Sequence, residues 1–115
     1  MHPKSPKWLQ DIADACALIQ RATQGRTFAS YDQDALIRSA VERNFEIIGE
    51  ALNRIRRTDP DTAARIPEHN DVIAFRNLLI HGYDVLDHAR VWQVIQNDLP
   101  RLEEQVQQLL KSVGG

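Results

Sequence analysis

The chain reads as an all-α protein, an antiparallel four-helix bundle with one short extra helix and a kinked last helix. Three observations predict this. Apolar residues recur at three- and four-residue spacing along four long stretches. Only five glycines and short β-branched runs leave little room for strands. Brief polar links join the stretches, so neighbouring helices run antiparallel.

The first helix is expected from about Pro6 to Gln24, where Trp8, Ile12, Ala15, Ile19 and Ala22 form one stripe. Gly25 follows at the C-cap position. The second should begin near Asp32, a good N-cap, and bury Ile37, Val41, Phe45, Ile48, Leu52 and Ile55. Ala40, Ile47 and Ala51 widen its apolar surface, enough for two packing partners, one of them a candidate second subunit. Asp59-Pro60 caps and starts a short helix to about Arg65. Asn70 is placed to cap the next helix, which carries Val72, Ile73, Phe75, Leu78, Leu79 and Ile80. Gly82 stands where that helix ends or bends. The last helix spans about Asp87 to Lys111, and Pro100 inside it removes one backbone hydrogen bond and predicts a kink.

At 115 residues the chain fits a single domain, with residues 1–6 and 112–115 expected to be loose. It is 43% hydrophobic and 26% charged, ordinary values for a soluble domain. A formal charge of −2 excludes a global basic field, so any nucleic acid must be met by a local patch. Cys16 is the only cysteine, which excludes an internal disulfide and cysteine-rich zinc sites and fits a reducing cytoplasm. Charges interrupt every apolar run near the N-terminus, so neither a signal peptide nor a membrane span is read there.

The chemistry concentrates in Phe75-Arg76-Asn77-Leu78-Leu79-Ile80-His81-Gly82-Tyr83-Asp84. An apolar helix here delivers Arg76, Asn77, His81 and Tyr83 to one end of the bundle. Arginine carries a permanent charge and a planar fork of donors suited to phosphate. Histidine exchanges a proton near neutral pH. Together they suffice for RNA cleavage without a metal, by attack of a 2′-hydroxyl on the adjacent phosphorus. Geometry limits the reading. Positions five apart on a helix sit about 140° apart. Arg76 and His81 therefore share a site only if the helix bends near Gly82, or if two copies face each other across a dimer. A dimer would also supply two histidines, one for each proton transfer. By themselves these residues are more often a capping or surface arrangement, with His81 at the last carbonyls and Tyr83 packed half-buried.

Arg76, four residues, His81, one residue and Tyr83 resembles the ribonuclease motif of HepT-like toxins of the HEPN superfamily, with Asn77 matching the polar residue after the arginine. The stretch Ile37 to Ala51 is similar to that family's second-helix signature, and Val91 to Pro100 to its last-helix signature. The resemblance runs from about Trp8 to Leu110. Glu68-His69 departs from it, where many relatives carry tryptophan. It implies a metal-independent, cofactor-free endoribonuclease toxin of a type II/VII-like toxin–antitoxin system. It further implies a cytoplasmic homodimer whose two motifs line a shared cleft. Arg76 and His81 would be catalytic and Asn77 supporting. Tyr83 would be the residue AMPylated by a partner, a minimal nucleotidyltransferase antitoxin of the MntA kind. The alternative is a helical partner or nucleotide-binding module of such a nucleotidyltransferase, without catalysis of its own.

Arg43, Glu46 and Glu50 recur at i, i+3 and i+7 and form a polar ridge, either ion-paired in solvent or lining the cleft. His2, His69, His81 and His88 show no metal-ligand spacing. His69 and His88 read as loop or helix-start residues. Trp8 and Trp92 read as core, and Asp84 and Asp87 as turn and cap.

Overall fold

The computed structural model describes residues 1–81 and 87–114, the side chains of His81 and Gly114 excepted. Seven α-helices and one π-helical segment make up these residues: α1 (Ser5–Thr23), α2 (Phe28–Gln33), α3 (Ala35–Thr58), α4 (Pro60–Ala64), α5 (His69–His81), α6 (His88–Gln93), the π segment (Val94–Asp98) and α7 (Leu99–Gly114). The four rods of the bundle are α1, α3, α5 and the composite of α6, the π segment and α7.

The expected caps hold at three places. Gly25, at φ 74°, takes the left-handed conformation just past the end of α1. Asp59 accepts from Thr62 N–H ahead of Pro60 and so starts α4. Asp87 accepts from Ala89 and Arg90 N–H at the start of α6. Two boundaries differ. Thr27 and Ser30 cap each other reciprocally and nucleate α2, which takes up Asp32. Asp34, in extended backbone, then caps α3 through Leu36 and Ile37 N–H. At the start of α5 the Asn70 side chain is turned away from the backbone and accepts from Arg56 Nη1 at 3.0 Å.

Pro100 shapes the last rod as a local widening. Its ring would meet the carbonyl four residues back and it has no N–H to offer. Just before it, Leu99 N–H reaches Val94 O, five residues back, the spacing of a π turn.

The core is one cluster threaded by all four rods: Leu9, Ile12, Ile19, Phe45, Ile48, Leu52, Ile55, Leu99 and Leu102 are essentially without exposure. Burial of each such side chain is worth roughly 1.5–3 kcal/mol. Between α1 and α5 lies α3, touching both, while α7 lies along α1 and α2 bridges α3 to α6. Of the residues that widen the apolar surface of α3, Ile47 packs against the cluster and Ala51 lies within it, while Ala40 is exposed.

Candidate functional site

Helix α5 sinks Val72, Ile73 and Phe75 into the core, and Phe75 meets Phe45 edge to face at 5.1 Å between ring centroids. Three contacts fix its course along α3: Asn70 on Arg56, Phe75 on Phe45, and Arg76 on Gly49. The start of α5 meets α3 at Arg56, and positions 75 and 76 meet it further back at Phe45 and Gly49, so the helices are antiparallel.

Arg76 lies on α3 where that helix has no side chain. A Cβ placed on Gly49 would stand 2.3 Å from Arg76 Cβ, 2.4 Å from Cγ and 3.1 Å from Cδ. The guanidinium Nη1 donates to Asn77 Oδ1 at 3.2 Å. Its Nε is buried and has no hydrogen-bond partner among the described residues. Among those residues Arg76 also forms no ion pair. The His81 side chain, the expected bend at Gly82, Tyr83 and Asp84 lie outside the described residues. The backbone is helical through His81.

The ridge on α3 is ion-paired. Arg43 Nη1 stands 3.3 Å from Glu46 Oε2, and Arg54 Nη2 stands 2.8 Å from Glu50 Oε1. Both pairs are largely solvent-facing, where such bridges contribute little.

Beside this ridge is a polar cluster that sequence spacing did not single out. His88 Nδ1 is 2.7 Å from Asp32 Oδ1, tying the start of α6 to α2. Arg38 Nη1 donates to the Asp32 carbonyl. Burial pushes the Glu42 carboxyl up, against the opposing pull of His88 and Arg38. Tyr31 is wholly buried against Trp92, at 5.3 Å between centroids, and its hydroxyl has no partner among the described residues. Burial, with Glu42 nearby, raises its pKa well above that of an ordinary tyrosine. Residues 27–34 carry no strong period, so only the fold reveals Tyr31 as core.

A cavity of about 400 Å³ opens between α5 and the last rod, lined by Glu68, Asp71, Phe75, Leu78, Arg90 and Arg101 among others. It lies off the Gly49 flank of α5 and does not include Arg76. Among the described residues no three His, Cys, Asp or Glu side chains are grouped to hold a metal ion.

Fold and site together define a class: an all-α bundle whose third rod carries an arginine with no acidic partner among the described residues, followed five positions on by a histidine. The particular family follows from sequence comparison. The profile of the ribonuclease HepT-like family matches residues 12–109, and the chain belongs to that family. It is 33% identical over 104 residues to a protein of Thermococcus cleftensis named "Probable ribonuclease HepT", covering 90% of this chain and 94% of that one. It is 28% identical over 109 residues to a Caldanaerobacter subterraneus protein whose name includes the word RNase, covering 94% and 96% of the two chains. A Methanocaldococcus jannaschii protein, its name also including RNase, is 28% identical over 100 residues, covering 87% and 91%. No solved structure matches. No helix among the described residues is long and apolar enough to cross a membrane.

Proposed function

We propose that this protein is a metal-independent endoribonuclease toxin, silenced by AMPylation. The observation that carries the reading is Arg76, a cation seated on Gly49 with no acidic partner among the described residues, in a chain of the ribonuclease HepT-like family. Such a cation is available to a phosphate oxygen. In the proposed reaction a ribose 2′-hydroxyl attacks the adjacent phosphorus. His81 takes the hydroxyl proton, Arg76 offsets charge on the phosphate oxygens, and Asn77 holds the guanidinium through Nη1. The P–O5′ bond breaks, and protonated His81 returns the proton to the leaving oxygen. The products are a 2′,3′-cyclic phosphate and a 5′-hydroxyl.

A regular helix through His81 sets that residue about 140° around the axis from Arg76. A homodimer with the two motifs face to face removes the difficulty, because Arg76 and His81 at each centre then come from different subunits. Ile80, exposed on α5 about 40° around the axis from Arg76, is apolar enough to lie in such an interface. Tyr83, two residues past His81, is the residue an MntA-like nucleotidyltransferase would modify with AMP. We place the pair in the cytoplasm, where Cys16 stays reduced.

The test is incubation of the purified protein with RNA in EDTA. Cleavage leaving 2′,3′-cyclic phosphate ends is expected. Activity that vanishes in chelator and returns with magnesium would overturn the mechanism.

A further inference from the structure

We infer that Gly49 is a positioning residue of this site, the seat that sets the height and direction of Arg76. The inference rests on the reading of Arg76 as the phosphate contact and deepens it. Gly49 is the one glycine of α3 and is buried midway along that helix. Glycine is a poor residue at such a position, because it loses more backbone freedom than alanine on folding. What it provides is closeness. The atoms that a Gly49 Cβ would strike are Arg76 Cβ and Cγ, at 2.3 and 2.4 Å. Of these, Cβ is fixed by the α5 backbone, so no rotation of the arginine relieves its contact at 2.3 Å. From 2.3 Å to the 3.4 Å at which ordinary van der Waals contact begins is more than 1 Å. Helix α5 would have to withdraw from α3 by about that amount.

Arg76 is then held at two points. Its stem lies on Gly49, and its tip donates from Nη1 to Asn77 Oδ1. Between them Nε is closed off from water with no partner among the described residues. The charge is thereby directed outward through the Nη edge. A flexible arginine would have to be ordered when RNA arrives, whereas this one is already ordered. Gly49 touches neither substrate nor reacting atoms. It acts through Arg76.

The experiment compares wild type, Gly49→Ala and Arg76→Ala. Circular dichroism melts define a temperature at which each is folded. At that temperature kcat and KM are measured on a short RNA, and the Arg76 side-chain Nε–H is followed by NMR. Gly49→Ala should lose about 100-fold in kcat, as misplacement of a catalytic group by an ångström does, with KM changed far less. Its Nε–H signal should shift and exchange with water faster than in wild type. A Gly49→Ala protein that is folded and stays within about threefold of wild type in kcat overturns the inference. So does a loss that only tracks the unfolded fraction while the Nε–H signal is unmoved. Should Gly49→Ala fail to fold, wild type alone decides: an Nε–H exchanging as fast as that of a surface arginine means there is no seat. Full cleavage by Arg76→Ala would instead sink the phosphate reading, and the NMR result would still report whether Gly49 holds the side chain.

Discussion

The backbone N–H of His2 donates to Asp59 Oδ2 at 2.8 Å, joining the N-terminus to the junction of α3 and α4 across 57 positions. The same carboxylate accepts from Ser5 Oγ at 2.8 Å and from Thr62 Oγ1 at 2.6 Å, and its other oxygen accepts from Thr62 N–H at 3.3 Å. Burial alone would push this carboxyl up. The hydrogen bonds from Thr62, His2 and Ser5 outweigh it and hold the group far below the usual carboxylate range.

Asp59→Asn should therefore destabilise the fold by roughly 3 kcal/mol at pH 7, since it puts an amide among donors that need an acceptor. The folded-state pKa lies below the unfolded value near 3.9, so the ionised group stabilises the fold fully at neutral pH. That stability is lost as pH falls below about 4 toward the folded pKa. Urea melts at pH 7 and pH 3 should show the gap between wild type and variant narrowing in acid. An equal gap at both pH values would refute the assignment.

Arg76→Ala and His81→Ala should each lower RNA cleavage by about 10²–10⁴-fold. Their helical circular dichroism should remain that of wild type. If the centre is shared between subunits, a mixture of the two inactive variants should recover activity. With random pairing, about a quarter of the centres regain both residues. A mixture as inactive as its components would place both residues of each centre in one subunit.

Tyr83 carries the switch in the proposed function. Incubation with a neighbouring MntA-like nucleotidyltransferase and ATP should add AMP at Tyr83, read by peptide mass, and cleavage should fall in step. The added phosphate would compete for Arg76, and the purine would fill space that RNA needs. Tyr83→Phe should cut RNA and remain active beside the partner. Modified protein that cleaves as fast as unmodified would end the switch model, and a Tyr83→Phe protein that is inactive from the outset would make the hydroxyl catalytic.

Cys16 is without exposure in the core, and burial, with Glu103 adding to it, pushes its thiol up to about 12. The thiolate is the reactive form. Native protein should resist a thiol reagent such as DTNB at pH 8, and denatured protein should react at once. Rapid labelling of folded protein would contradict the packing of α1 against α3 and α7.

The positions of α1, α3, α4, α5 and the last rod were legible in the sequence. Apolar period, caps and breakers act within a few residues: Gly25 ends α1, Asp59 and Pro60 start α4, Asp87 starts α6, and Pro100 disturbs the last rod. The motif around Arg76 stands out in the sequence through its resemblance to a known family, since residue types and spacing alone fit a capped helix end. Period reveals which residues turn inward but not what they meet. The assignment of the broad α3 face to α1 and α5, the burial of Tyr31, the diversion of Asn70 to Arg56 and the ties of His2 and Ser5 to Asp59 all join segments distant in sequence. So does the seat of Arg76 on Gly49. A glycine in a helix gives no local sign of why it is there, and only the close approach of α5, set by packing of the whole bundle, decides that no larger residue fits.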